Sequence, residues 1–424
     1  MKKTLVIGGG AAGMAAAIAA AQRGEAVTLL ERNPKTLKKL GVTGNGRGNV
    51  LNAGPPIYYG DAAFAQAVLQ AMPYERVATF LEELGIPLRQ EAEGRVYPAA
   101  LQASVVVEAL RLRAEQLGVQ AQCRTRVLAL FRDGDGFTAE AEESPLADPH
   151  GKKGRPAAAP VVFRKYCGDR VIVTVGGAAA PAHGTDGTAY GLLTNLGHSL
   201  VSPYPALCAL LTDKRPIGGL AGQRIRAALT LTSPKGALLH STEGEALFAE
   251  DGVSGIAAMQ LARFATEGCL LHMDLRPGLG LDGESKAALR QRLQALIELR
   301  KALPLSELCT GMMTQPLARA LLKAAGITGL ERPVGSLEPN ERNALADILV
   351  NFSLDVKGVR GFDSAQVTAG GIATAAFDPL TMESRLQKGL YAAGEILDVD
   401  GDCGGFNLMF AFAGGLLAGG YRGR

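Results

Sequence analysis

One stretch constrains this chain more than any other: Thr4-Leu-Val-Ile-Gly-Gly-Gly-Ala-Ala-Gly13, followed at once by Met14-Ala-Ala-Ala-Ile18. Apolar and β-branched residues run into Gly8, Gly10 and Gly13, and a small-residue helix pattern follows. A buried parallel strand, a tight turn and a helix N-terminus produce this text. Gly8 permits the sharp turn, Gly10 lets backbone approach a pyrophosphate, and Gly13 lets helix and strand pack closely. Ala11 and Ala12 open the helix, whose unpaired N–H groups and partial positive charge suit phosphate. The fold class this predicts is α/β, beginning with a Rossmann-type dinucleotide-binding unit.

After a helix from Ala11 to Arg23, capped by Gly24, Ala26-Val-Thr-Leu-Leu30 reads as the second strand. It ends in Glu31, eighteen positions beyond Gly13, where a carboxylate accepts hydrogen bonds from ribose hydroxyls. The run from Lys38 to Val50 holds four glycines and disfavours any regular element. It reads as a loop in which Gly44 and Gly46 lay N–H groups along a polar ligand and Arg47 stacks on or hydrogen-bonds to it. Glu93-Gly-Arg95-Val-Tyr97-Pro98 reads as a turn exposing Arg95 and Tyr97. Val127 to Phe131 and Gly136 to Glu140 suggest a meander. The polar stretch 142–160, with Gly151-Lys-Lys-Gly-Arg155, is expected as a solvated hairpin tip or insertion. Arg170 to Val175 forms another buried strand that ends in Gly176 and Gly177, so the glycine loops gather at one sheet edge.

From about 200 to 275 short β-rich pieces alternate with turn residues, as in a small antiparallel subdomain. Helical patterns then cover Ser285 to Leu303, Pro316 to Ala325 and Asn340 to Val350. The organisation predicted is a discontinuous dinucleotide-binding domain over 1–199 and 360–424, a β-rich insertion over 200–280 and a helical one over 281–359, the insertion roofing a substrate pocket. The first fold returns at Ala365 to Gly371 and at Gly389-Leu-Tyr-Ala-Ala-Gly394-Glu395. Glu395 is placed to bind a ribityl hydroxyl or to fix the pyrophosphate end. Asp398 to Asn407 follows, with Asp400, Asp402, Gly404, Gly405, Phe406 and Asn407 ahead of an apolar helix from Leu408 to Ala418. Gly404 and Gly405 let backbone approach a flat ring, and a helix N-terminus stabilises negative charge on it, which suits the flavin of FAD. Arg32, Lys39 and Val127 complete the expected cofactor contacts.

The formal charge is 44 − 41 = +3, with no Trp and no basic-aromatic clusters, which argues against a nucleic-acid partner. Six scattered Cys form no C-x-x-C pair or zinc-like spacing, and five His are isolated, so no metal site is expected. Glycines interrupt the apolar run after Lys2-Lys3, and no later stretch has about twenty uninterrupted apolar residues. A cytoplasmic protein with no membrane partner and a small-molecule substrate is the expectation, with the oligomeric state open.

Read from both ends, the chain resembles the bacterial FAD-dependent oxidoreductases that include aminoacetone oxidases and bile-acid enone reductases of the BaiN type. The resemblance rests on Val6-Ile-Gly-Gly-Gly-Ala-Ala-Gly13, Gly44-Asn-Gly-Arg47, Gly94-Arg-Val-Tyr-Pro98, Gly361-Phe-Asp363, Gln366-Val-Thr-Ala-Gly-Gly371, Gly394 to Asp402 and Gly404-Gly-Phe-Asn407. It implies a Rossmann-type FAD domain split by a β-rich and a helical insertion. Where the family usually has a Cys and a Thr in Gly-Arg-Cys-Asn-x-Thr-Asn, this chain has Gly48 and Leu51. Gly176 to His183 also lacks the family's usual lysine and tyrosine.

Hydride chemistry at a flavin asks the protein for positioning, electrostatics and a proton donor. Tyr97 is the candidate donor, and Arg95 and Arg47 the candidate anchors for a carbonyl or carboxylate. Cys403 has no partner Cys, which disfavours disulfide reduction. No second Gly-x-Gly-x-x-Gly follows a strand in 200–360, so NAD(P)H would visit transiently as electron donor. The reaction expected is NAD(P)H-driven reduction of an activated C=C or C=O bond. The alternative is an oxidase of a small amine or amino-ketone that releases peroxide. A flavin-binding protein working on RNA is a third class, opposed by the low charge.

Overall fold

The computed structural model describes residues 1–144 and 161–423, so most of the stretch expected as a hairpin tip, residues 145–160, lies outside the described residues. The chain divides into two compact units, Met1–Tyr204 with Gln366–Arg424, and Pro205–Ala365.

In the first unit a five-stranded parallel sheet runs in the order Leu390–Ala392, Arg170–Val173, Lys3–Ile7, Ala26–Glu31, Gln120–Cys123. Val6 sits between Ile172 and Leu29, and these aliphatic runs are buried on both faces, as parallel strands under helices must be. The helix Ala11–Gln22 follows the first strand, with its first ten residues buried. A helix apolar on every side belongs inside a core. Its small residues let the final helix, Phe406–Gly419, touch it backbone to backbone. A Cβ at Gly415 would lie 2.2 Å from the Ala12 carbonyl oxygen, and one at Gly419 would lie 2.5 Å from that of Ala16. The four-residue spacing on both helices makes this a continuous seam.

Buried Arg170 ties the far end of that seam to the sheet. Its Nε donates to Thr4 Oγ1 and Glu25 Oε2, both at 3.0 Å, and its Nη atoms reach the Ala418 and Gly419 carbonyls at 3.2 and 3.4 Å. A cation on the last carbonyls of a helix also complements its dipole. The expected meander is a three-stranded antiparallel sheet of Thr125–Asp133, Gly136–Glu143 and Val162–Gly168.

The second unit holds a closed antiparallel barrel, ordered Leu210–Thr212, Gly252–Ser254, Leu238–Phe248, Arg224–Thr232, Leu270–Asp274, Phe352–Val359 and back to the first. Helices Lys286–Arg300, Gln315–Ala324 and Pro339–Val350 are inserted before its last strand. That strand falls inside the stretch read as helical. Phe352, Leu354 and Val356 alternate with exposed Ser353, Asp355 and Lys357, a period of two that only a strand can bury. Among the described residues, no helix is long and apolar enough to cross a membrane.

Candidate active site

All of the predicted site residues lie in the first unit. The opening turn is built as its glycines dictate. Gly8 has φ +104°, and a Cβ on it would lie 2.5 Å from the Thr174 carbonyl oxygen. A Cβ on Gly13 would lie 1.9 Å from the Gly8 carbonyl oxygen, so no larger residue lets helix and strand meet here. Gly10 differs: a Cβ there would meet nothing within 4 Å. Glu31, only 6% exposed, accepts from Gly9 N at 2.7 Å through one carboxylate oxygen and from Asn33 N at 2.7 Å through the other. It therefore braces the turn as well as ending the strand. Arg32 pairs with Asp186 at 2.8 Å. Val127, half-buried, lies on the strand that starts beside Asn33, whose carbonyl accepts from Arg124 N at 2.9 Å.

A second cluster joins segments 356 residues apart in sequence. Lys39 Nζ lies 2.7 Å from Glu395 Oε2 and 3.4 Å from the Ala179 carbonyl oxygen. Glu395 Oε1 accepts from Thr368 N at 3.1 Å and Thr368 Oγ1 at 2.9 Å. Gly177 leaves room for this arrangement, since a Cβ on it would lie 2.3 Å from Thr368 Oγ1. Gly176 turns away at φ +76° against Thr185. Gly394 brings the cluster to the first helix, where its Cβ would lie 3.0 Å from the Ala12 Cβ. Ala12 is thus packed between the turn and the Gly394 loop, and Ala11 beside it is buried.

The third cluster holds the candidate catalytic groups. Tyr97 and Arg95 do not lie on an exposed turn: Arg95–Pro98 is a strand between Leu51–Asn52 and Leu88–Gln90, and Tyr97 is 6% exposed. Pairing on one side with the adjacent hairpin strand and on the other with Leu51–Asn52, some 45 residues earlier, pulls Val96 and Tyr97 inward. The Arg47 guanidinium stacks 4.4 Å above the Tyr97 ring, with its Nη2 2.8 Å from both Glu91 carboxylate oxygens. The 38–50 run is not the loop free of regular structure that its glycines suggested: Leu40–Gly46 winds as a 3₁₀ helix, kinked where Thr43 is extended and Gly44 and Asn45 take left-handed angles. A Cβ on Gly44 would lie 3.6 Å from the Tyr97 ring. Arg95 pairs with Glu93.

Behind them Asn52 Nδ2 donates to the Gly404 carbonyl at 2.8 Å, and a Cβ on Gly405 would lie 2.2 Å from the Leu51 carbonyl oxygen. The close approach these two glycines permit is therefore to the 51–52 backbone and side chains. Asn407 holds the loop by accepting from Gly401 N at 2.8 Å and donating to its carbonyl at 2.7 Å. Phe406 opens the helix against Tyr58, whose hydroxyl donates to its carbonyl at 2.8 Å. Asp402 is buried, and burial pushes the neighbouring Cys403 thiol above its ordinary value. Among the described residues no group of three or more His, Cys, Asp and Glu is arranged to hold a metal ion.

A family profile described as the HI0933-like protein Rossmann domain matches residues 2–149 and 156–421. The chain belongs to the HI0933-like family. One relative, the 3-dehydro-bile acid delta(4,6)-reductase of Clostridium scindens, is 33% identical over 425 residues, covering 99% of this chain and 98% of its own. The ribosomal RNA dihydrouridine synthase of Escherichia coli is 24% identical, covering 96% of this chain and 95% of its own. Among solved structures, the open conformation of a flavocytochrome c3 fumarate reductase covers 99% of this chain and 77% of its own at 16% identity, with a TM-score of 0.47.

This HI0933-like chain is an FAD-dependent oxidoreductase. The residues present fit that cofactor: the open side of Gly10 is a cradle that a Cβ would fill, between a helix N-terminus and the buried Glu31 carboxylate. Sequence reasoning missed Thr368, Asn52 and the buried Tyr190 hydroxyl. The last has no hydrogen-bond partner among the described residues, and burial, then Glu395 and Asp398, push its pKa up. A threonine in a β-rich run, an asparagine in a turn-rich loop and a tyrosine in a helix carry no signal of such roles on their own.

Proposed function

We propose that this protein holds FAD along the Gly8–Gly13 turn, Lys39 and Glu395, and uses electrons from NAD(P)H to reduce a carbon–carbon double bond conjugated to a carbonyl in a small organic substrate. The observation that carries this reading is the similarity to the delta(4,6)-reductase, which runs through 99% of the chain and so through nearly every segment described above. Bound FAD supplies two-electron hydride chemistry.

The chain's own residues supply the rest. The first-turn N–H groups at Ala11 and Ala12 and the open face of Gly10 receive the pyrophosphate, and Glu31 receives ribose hydroxyls with the acceptor capacity that Gly9 and Asn33 leave over. Arg47 and Arg95 present guanidinium N–H groups to the substrate carbonyl oxygen, where negative charge develops as the conjugated bond is reduced. Glu91 and Glu93 orient those guanidinium groups. Tyr97, its ring fixed beneath Arg47, delivers the proton to the carbon next to the carbonyl.

The similarity to a ribosomal RNA dihydrouridine synthase favours a second substrate in the same reaction class, because dihydrouridine is uridine with a carbonyl-conjugated ring double bond saturated. A net charge of +3 gives little general attraction to a phosphate backbone, so the small substrate stands first. Anaerobic incubation with NADH or NADPH and either a steroid dienone or uridine-containing ribosomal RNA separates the two. Saturated steroid is expected. Dihydrouridine in the RNA with intact dienone would transfer the assignment to RNA. Peroxide from an amino-ketone in air, with neither acceptor reduced, would refute both.

A further inference from the structure

Thr368 lies on the strand Val367–Ile372, every residue of which is buried, and is itself 0% exposed. Its hydroxyl oxygen accepts from the backbone N–H groups of Ala178 at 2.8 Å and Ala179 at 2.9 Å. Both lone pairs are then engaged, and the single hydroxyl proton has one destination, Glu395 Oε1 at 2.9 Å. The Thr368 N–H adds a second donor to the same oxygen at 3.1 Å. Oε1 is thereby saturated. The other oxygen, Oε2, takes one donor from Lys39 at 2.7 Å and keeps room for one more.

Resting on the FAD reading above, we propose that Thr368 is a positioning residue that turns the Glu395 carboxylate so that Oε2 alone, beside Lys39, is offered to a hydroxyl of the cofactor's polyol chain. The hydroxyl orientation is set by two backbone donors on the 177–179 turn. The turn can come this close only because residue 177 has no side chain: a Cβ there would lie 2.3 Å from Thr368 Oγ1 and 3.0 Å from Glu395 Oε1. The arrangement is a closed ring, Lys39 to Glu395 to Thr368 to Ala179 and back through the 3.4 Å contact of Lys39 with the Ala179 carbonyl. Removing the hydroxyl leaves two buried N–H groups unpaired and frees the carboxylate to rotate.

The test uses the full chain stripped of flavin and titrated with FAD by fluorescence, with Thr368→Val, Thr368→Ser, Gly177→Ala, Glu395→Gln and the Thr368→Val/Glu395→Gln pair. Thr368→Val is expected to weaken FAD binding about ten- to hundredfold, the scale of a hydrogen bond to a charged group. Thr368→Ser should stay within about threefold of the parent, because it keeps the hydroxyl. In the Glu395→Gln background the valine substitution should cost less than about threefold, because the group it acts through is already altered. Should the valine variant fail to fold, Gly177→Ala makes the same test by crowding the hydroxyl, with a matching loss of affinity expected. Thr368→Val or Gly177→Ala binding FAD like the parent, or losses at 368 and 395 that simply multiply, would overturn the role of Thr368. A parent chain that does not bind FAD would overturn the FAD reading itself.

Discussion

Alanine at Gly10 separates what the cofactor needs from what the fold needs. Gly10 has φ −80° and ψ −167°, a region open to any residue, and a Cβ on it would meet no atom within 4 Å. Lower entropy of the unfolded chain favours the alanine by about 0.4–1 kcal/mol. Alanine is the poorer helix N-cap, by an amount of similar size. The flavin-free Gly10→Ala protein is therefore expected to match the parent in urea unfolding to within about 0.5 kcal/mol, the ordinary spread for a site free of contacts. Gly13→Ala is the contrast. Its Cβ would lie 1.9 Å from the Gly8 carbonyl oxygen and 2.6 Å from Thr174 Oγ1, so helix and strand must move apart. A loss of about 2–3 kcal/mol, the upper range for overpacking, is expected. In FAD titration Gly10→Ala should lose at least about tenfold, or about 1.4 kcal/mol, because its methyl group fills the face through which backbone meets the pyrophosphate. A Gly10→Ala protein that binds FAD like the parent, or one as unstable as Gly13→Ala, would refute this reasoning.

Two further outcomes follow from the same geometry. Gly48 has φ +75°, and a Cβ on it would lie 2.9 Å from the Ala103 Cα, so Gly48→Cys, which restores the residue usual in this loop of the family, should cost about 1–3 kcal/mol and lower the melting temperature; an unchanged or higher melting temperature would contradict it. His198 is buried against Phe377, with Nδ1 3.1 Å from the Leu193 carbonyl oxygen and Nε2 2.8 Å from Ser384 Oγ, whose oxygen already accepts from Leu386 N and Gln387 N. Burial lowers its pKa, so the unfolded chain takes up the proton first. The stability it contributes is complete above about pH 6.5 and is lost as pH falls from there through the folded value. Urea midpoints measured over that window should fall more steeply for the parent than for His198→Gln, and equal slopes would show that another group titrates.

The opening turn was legible because Gly8 and Gly13 answer steric demands that sequence spacing alone expresses. A Cβ on Gly8 or Gly13 would lie 2.5 or 1.9 Å from a backbone oxygen, and no other residue fits. The return of the fold near Gly394 was legible for the same reason. What was hidden depends on partners far away in the chain. Tyr97 is buried because its hairpin strand is covered on its other side by Leu51–Asn52, some 45 residues earlier, and its own hexapeptide reads equally well as a turn. Phe352–Val359 carries a clear period of two, but it follows a helix directly and closes a barrel whose other strands lie some 80 to 150 residues earlier. Thr368 is the sharpest case. Its role comes from Ala178, Ala179 and Glu395, up to 190 residues away, and a buried threonine on a strand otherwise signals only β-propensity.

Anaerobic reduction of the FAD-loaded protein tests the central claim most directly. The flavin absorbance is followed while NADH or NADPH is added, and a steroid dienone is then introduced before any air. The expected result is bleaching by at least one nicotinamide, then return of the oxidised spectrum with one saturated product formed per flavin. A flavin that neither nicotinamide bleaches, or one that regains its colour only when oxygen enters, would contradict an NAD(P)H-driven reductase of conjugated double bonds.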